Sequence, residues 1–149
     1  MLEEGQKAPA FAAKDQFGNK IFLSDLKGKK VALYFYPEDD TPTCTEEACN
    51  LRDNYSMLKK QGYVVLGVSP DDEKSHEKFA KKFNLPFSLL ADPDKKIINA
   101  YDVWQWKKLF GHEYMGVVRT TFIINEKGII EKIIRKVHSK NHTEQILEK

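Results

Sequence analysis

Val31-Ala-Leu-Tyr-Phe-Tyr36 is apolar at every position. A strand with one wet face alternates apolar and polar residues. A strand without that alternation is buried on both faces, as in the middle of a sheet covered by helices. Pro37 ends the run, because it has no N–H to give to a ladder. An acidic loop, Glu38-Asp-Asp40, follows. A helix then opens at Thr41-Pro-Thr-Cys44, with Pro42 suited to a first turn whose N–H groups have no partner.

The alternation continues along the chain. The helix that holds Cys44 is expected to run to about Lys60 and stop at Gly62. Tyr63 to Val68 reads as a second apolar strand. Ser69-Pro-Asp-Asp-Glu73 opens a polar helix to Phe83, with Phe79 and Phe83 facing inward. Pro86 breaks the pattern, and Phe87 to Leu90 is a short strand. Asp92-Pro-Asp94 begins a helix carrying Ile97, Ile98 and Tyr101. Val117 to Ile124 reads as one strand, Glu126-Lys-Gly128 as a turn, and Ile129 to Val137 as the hairpin partner. Asn141 starts a last helix, with Glu144 placed for a capping box. Before all of these, Ala8 to Leu23 reads as short strands around a polar turn at Asp15–Asn19, and Ser24 to Gly28 as a single capped turn. Strands and helices in this order predict an α/β class.

Length and charge narrow the function. The chain has 149 residues, 41% of them hydrophobic, so one domain spanning residues 1–149 is expected. The net charge of +2, with lysines dispersed among acids, predicts no nucleic-acid partner. The start, Met1 to Lys7, has neither the basic nor the apolar region of a secretory signal. No apolar run approaches the ~18 residues of a membrane span. A cytoplasmic protein with no membrane partner is expected.

Cys44 and Cys49 are the only cysteines. A thiol attacks as its thiolate, and a helix N-terminus favours that anion. Thr41 or Thr43 can cap this helix. The acids Glu38, Asp39, Asp40, Glu46 and Glu47 work against the thiolate, so a cation from elsewhere is needed. Burial is the competing explanation. Cys44, Ala48, Leu51, Tyr55 and Leu58 share one helical stripe, where a cysteine serves as a small apolar residue. Both cysteines in a regular helix would sit roughly 8–9 Å apart at their Cα atoms, beyond the ~7 Å reach of a disulfide. Bridging them requires the first turns to unwind.

Other chemistry has weaker support. Two cysteines and two of the four histidines could number a zinc site, but the spacing is not that of a knuckle, and no metal is expected. His138 and His142 read as surface residues near a terminus. Trp104, Trp106, Leu109 and Phe110 read first as core packing and second as a helix end or flap over the site. No nucleotide-binding glycine motif occurs.

Pro37, Thr41 and Cys44 together form Pro-x-x-x-Thr-x-x-Cys, which resembles the peroxiredoxins. Cys44 and Cys49 at Cys-x-x-x-x-Cys spacing resemble the bacterioferritin comigratory protein, or peroxiredoxin Q, subgroup. Val118-Arg-Thr-Thr-Phe122 is similar to the family's later strand, with Arg119 as the matching arginine. Tyr101-Asp-Val-Trp104 and Tyr114-Met-Gly-Val117 also resemble the subgroup, and the likeness runs from about Gly5 to the C-terminus. The pattern departs at Thr43 and Asp102, where glycine is common, at Trp106, where an acid is usual, and at Asn125, where aspartate is usual.

The resemblance implies a thioredoxin-like fold, a central mixed β-sheet flanked by helices with an N-terminal β extension. It implies a thiol peroxidase that reduces hydrogen peroxide and organic hydroperoxides to water and alcohols. Cys44 is then peroxidatic and Cys49 resolving. Thr41 and Arg119 orient the peroxide, and Pro37, Pro42 and Thr43 shape the pocket. Thioredoxin or a similar dithiol is the implied reductant, a monomer the implied state, and no cofactor is required. A thiol–disulfide oxidoreductase and a non-catalytic redox sensor are the alternatives; the missing Cys-x-x-Cys counts against the first.

Overall fold

The computed structural model describes residues 2–148. β3 (Lys30–Phe35) is the middle strand of a five-stranded sheet. It pairs in parallel with β4 (Tyr63–Ser69), and β4 in parallel with β5 (Ser88–Ala91). On its other side it pairs antiparallel with β8 (Thr120–Ile124), which pairs antiparallel with β9 (Ile130–Ile134). The strand order is β5-β4-β3-β8-β9. β1 (Ala12–Lys14) and β2 (Lys20–Phe22) form a separate N-terminal hairpin. This is the mixed, thioredoxin-like α/β arrangement with its N-terminal extension.

The apolar run of β3 splits by side-chain parity. Val31, Leu33 and Phe35 join a core with Leu66, Val68, Leu90, Phe122 and Ile97, Ile98 of α4 (Lys96–Ala100). Ala32, Tyr34 and Tyr36 join a second core with Cys44, Ala48 and Leu51 of α1 (Pro42–Asp53) and Leu58 of α2 (Tyr55–Lys60). Phe79 of α3 (Glu73–Phe83) and Ile146 of α5 (His142–Leu147) complete that side. Each side chain in these layers is worth ~1.5–3 kcal/mol if it is a fully buried Leu, Ile, Val or Phe. No helix among the described residues is long and apolar enough to cross a membrane.

Several elements differ from the sequence expectation, each for a local reason. The Cys44 helix is broken at Asn54, whose side-chain amide donates to the Asn50 carbonyl at 2.8 Å. A side chain that takes a helical carbonyl competes with the backbone, and α2 starts afresh. The strand expected over Val117–Ile124 is two strands. β7 (His112–Val117) pairs with β6 (Trp104–Leu109), whereas β8 pairs with β3. Between them the Val118 N–H donates to the Val103 carbonyl at 2.8 Å, and the Thr120 hydroxyl to the Val118 carbonyl at 2.9 Å.

Trp104 packs half-buried against the core as expected, but Trp106, Leu109 and Phe110 are neither core nor a helix end. These three lie on the β6–β7 hairpin, where Trp106 is 72% and Phe110 92% exposed. The turn has positive φ at Phe110 (50°) and Gly111 (80°), the pattern of a two-residue hairpin turn. His142 is buried rather than superficial, because α5 packs its N-terminal end onto α1. The capping box at Asn141 does not form; Asn141 makes no side-chain cap.

Gly67 stands opposite Tyr34 in the β3–β4 register. A Cβ there would lie 2.8 Å from Tyr34 Cζ and 2.9 Å from Leu89 Cδ2. Both neighbours are fully buried, so neither can yield cheaply. Gly67→Ala is expected to destabilise the protein by about 1–3 kcal/mol through overpacking, read as a lower urea midpoint at an unchanged slope.

Candidate active site

α1 begins where β3 and its loop deliver it. Thr41 occupies the N-cap position in extended conformation, and Pro42 is the first helical residue. The Thr41 hydroxyl donates back to the Glu38 carbonyl at 3.0 Å, so it closes the loop and does not cap the helix. Thr45 N–H donates to the Thr41 carbonyl at 2.8 Å. The N–H groups of Thr43 and Cys44 precede that bond, in the part of a helix that lacks intrahelical acceptors.

Cys44 is 1% exposed. Arg119, in the two-residue link between β7 and β8, brings Nη2 to 3.2 Å from Cys44 Sγ. Its Nη1 donates to Glu47 Oε1 at 2.8 Å. One guanidinium therefore touches the sulfur and a carboxylate one helical turn away. Burial works against the charge on Arg119, but Glu47 and Cys44 beside it push its pKa up.

Glu47 is completely buried. Desolvation raises its carboxyl from 4.5 to about 7, although Arg119 works to lower it. Its second oxygen, Oε2, has no hydrogen-bond partner among the described residues. His142 Nε2 is 3.6 Å from that oxygen and 2.7 Å from Thr121 Oγ1. Burial pushes His142 down to about 4, so its ring is neutral at physiological pH. The Tyr34 hydroxyl, also buried and unpartnered among the described residues, is pushed well above its ordinary range by burial and then by Glu47.

The loop before α1 is anchored from below. Asp39 Oδ1 accepts from the Tyr36 hydroxyl at 2.6 Å, and Oδ2 accepts from Ser75 Oγ at 2.7 Å. His76 Nδ1 lies 2.7 Å from the same Oδ2, and His76 Nε2 donates to the Leu90 carbonyl at 3.0 Å. Asp71 Oδ2 accepts the Asp39 N–H at 2.7 Å. Asp39, Asp71 and His76 are the one group with metal-ligand spacing among the described residues, and these hydrogen bonds already engage their polar atoms.

Among the residues singled out from sequence, the fold brings Cys44 and Arg119 into contact. Pro37 is half-buried in the loop, and Pro42 and Thr43 are exposed on the first turn. Cys49 is half-buried on the same helix, and both thiols are free. Sequence reasoning misses Glu47 and His142: the first counts there only as one of the opposing acids, the second as a surface residue. The signal for Glu47 is its place in the buried stripe, three residues after Cys44 and beside Ala48. For Tyr36, Asp39 and His76, no sequence pattern points to a shared network.

The profile of the AhpC/TSA family matches residues 4–133. A protein of Coxiella burnetii called a putative peroxiredoxin bcp is 49% identical over 146 residues, covering 98% of this chain and 97% of that one. Peroxiredoxin Bcp of Bacillus subtilis is 48% identical over 147 residues, covering 99% and 94%. A solved structure of the Xanthomonas campestris bacterioferritin comigratory protein, studied for alkyl peroxide reduction, superposes with a TM-score of 0.89 at 30% identity, covering 97% and 95%.

Glu47 and His142 leave opposite marks on stability. The folded state holds the Glu47 proton to about 7 against 4.5 ordinarily, so it binds more protons than the unfolded chain in between. That stabilisation is full below 4.5 and is lost as pH rises towards 7. His142, at about 4 against 6.5, binds fewer protons when folded. Its stabilisation is full above 6.5 and is lost as pH falls towards 4. Each is worth roughly 3 kcal/mol, and the two oppose each other over nearly the same window. Glu47→Gln is expected to leave a stability that climbs from pH 4.5 to 6.5, and His142→Gln one that falls across it. Urea midpoints measured across that window decide it; two flat profiles would refute the assignment.

Proposed function

The chain belongs to the AhpC/TSA family, among its Bcp and PrxQ peroxiredoxins, and from that premise we propose that Cys44 is the peroxidatic thiol and Cys49 the resolving thiol of one helix. The protein is a thiol peroxidase. The observation that carries the assignment of residues is the 3.2 Å contact between Arg119 Nη2 and Cys44 Sγ at the start of α1. Guanidinium charge and helix N-terminus both favour sulfur as the anion, and neither competes as a nucleophile.

The Cys44 thiolate attacks the terminal oxygen of a hydroperoxide. The O–O bond breaks as S–O forms, and the leaving oxygen takes a proton to become water or an alcohol. Arg119 and the N–H groups of Thr43 and Cys44 face the charge that moves from sulfur to oxygen. Thr41, Pro37 and Pro42 hold the loop that positions them; Thr43 stands at the rim. Thr41 reaches the peroxide only if its hydroxyl turns from the Glu38 carbonyl.

Cys49 then attacks the sulfenic sulfur, water leaves, and an intramolecular disulfide forms. A dithiol of the thioredoxin kind reduces it by exchange. Two thiols on one helix need no second chain, which supports a monomer built as one domain over residues 1–149. A cycle that returns both thiols to the reduced state suits the cytoplasm.

α1 is continuous through both cysteines, so their Cα atoms are held roughly 8–9 Å apart and the bridge requires unwinding. Cys44→Ser is expected to abolish peroxide consumption with thioredoxin, a loss of at least ~10³-fold. Cys49→Ser is expected to complete one oxidation and stall. Continued fast turnover by Cys44→Ser protein sinks the assignment. Amide exchange over residues 42–49 is expected to be faster in the disulfide form; equal protection in both forms refutes the unwinding.

A further inference from the structure

Arg119 is shared by two groups that can each carry a negative charge. Around Glu47 the polar geometry fixes where a proton belongs. Gln145 Oε1 accepts the His138 N–H at 2.8 Å, and Gln145 Nε2 donates to the Lys136 carbonyl at 2.8 Å. That settles which end of the amide is oxygen. His142 Nδ1, 2.8 Å from the same Oε1, is therefore the protonated nitrogen. His142 Nε2 is left as a lone pair that accepts from the Thr121 hydroxyl at 2.7 Å. Glu47 Oε2 lies 3.6 Å from this nitrogen, with no donor of its own among the described residues. Two acceptors face each other in a dry site unless a proton sits on the carboxyl.

We propose that Glu47 is the proton-holding partner of Cys44: it is a neutral carboxylic acid while Cys44 is the thiolate, and it ionises when the sulfur loses its charge. Glu47 is a positioning residue that acts through Arg119, and the inference rests on Cys44 being the peroxidatic thiol. With the carboxyl neutral, the guanidinium charge belongs to the sulfur alone. When the thiolate becomes sulfenic acid, Arg119 loses that partner and the carboxylate takes it up. The balance closes: thiolate, carboxylic acid and ROOH give sulfenic acid, carboxylate and ROH.

The groups that face this pair come from five elements. Cys44 is on α1 with Glu47; Arg119 is in the β7–β8 link; His142 is on α5, neutral at physiological pH because burial lowers it to about 4. Tyr34 of β3 stays a neutral phenol, since burial raises it. Lys107 of β6 acts on Arg119 and Cys44, and burial lowers it. Burial likewise raises Glu47 to about 7, in the range where the exchange operates.

The test uses Cys49→Ser protein, in which Cys44 is the single thiol, with and without Glu47→Gln. The glutamine keeps an oxygen towards Arg119 and cannot ionise, so it imitates the acid form at every pH. Two quantities are followed: thiolate absorbance in the reduced protein, and the rate of one oxidation by hydrogen peroxide. With Glu47, the rate is expected to rise, pass a maximum and fall on the order of three- to tenfold between about pH 7 and pH 9. In the Glu47→Gln protein, the fall disappears, and the thiolate fraction at about pH 6 is larger. The same descending limb in both proteins, or a uniform loss at all pH values in the variant, overturns the proposal.

A variant-free measurement stands beside it. Infrared difference spectra of otherwise native protein are expected to show a protonated-carboxyl band in the reduced state that one equivalent of peroxide removes. Absence of the band from reduced protein at neutral pH refutes the proposal, even if Cys44 proves unreactive. Unreactivity of Cys44 is the failure of the peroxidase assignment and is seen separately, in the oxidation rate.

Discussion

A single guanidinium faces two acids in a site nearly closed to water, and the rest of the structure is arranged to put it there. Arg119 reaches Cys44 from a link that belongs to no strand. The link exists because β7 follows the β6 hairpin while β8 must pair with β3. A unit charge pair at 4 Å is worth about 4 kcal/mol at the effective dielectric of a protein site, while burying each ion costs several. One cation at that strength offsets the burial of one anion and not of two. The neutral His142 ring offers no second cation, and the burial-raised carboxyl of Glu47 is the result.

Much of this is legible in the sequence, for physical reasons. A strand buried on both faces has no polar positions, so Val31 to Tyr36 declares itself. Proline and glycine mark the ends of the elements around it. Cys44 stands out as a candidate because a helix N-terminus favours its thiolate, and Arg119 is legible through the resemblance to the peroxiredoxins. Glu47 is not, because a glutamate on an amphipathic helix is ordinarily solvated. Its burial follows from α5 and the β7–β8 link closing over α1, contacts more than 70 residues away in sequence. The β6–β7 hairpin escapes the sequence reading because Trp106, Leu109 and Phe110 are residue types that ordinarily fill a core. It carries them into solvent instead.

Two departures from the family pattern preserve backbone geometry. Asp102 adopts φ of 57°, the left-handed conformation that glycine supplies without strain and that aspartate tolerates better than most residues. Asn125 Oδ1 accepts the N–H groups of Lys127 and Ile129, both at 3.0 Å, as an aspartate oxygen would. Thr43 and Trp106 are different in kind. Both side chains are exposed, on the first turn of α1 and on the hairpin. Neither replaces a residue of the core.

α1 must satisfy two demands that conflict. It buries Cys44, Glu47, Ala48 and Leu51 in the core, yet in the proposed cycle it has to unwind for its two sulfurs to meet. The anchors are placed to confine the damage. Upstream, the Asp39 carboxylate is held by Tyr36, Ser75 and His76. Downstream, Asn50 donates to the Lys140 carbonyl and accepts twice from Thr143. Between these anchors, the side-chain bonds to the rest of the described residues are Lys82 to Asp40 at the loop, the two from Arg119, and the Ser139 hydroxyl on Glu46. In that cycle, oxidation removes the charge that drew Arg119 to Cys44, and so weakens one of the few bonds that hold this segment in place. The chemistry that creates the need to unwind thereby lowers its cost, while Asn50 keeps the rest of the helix tied to α5.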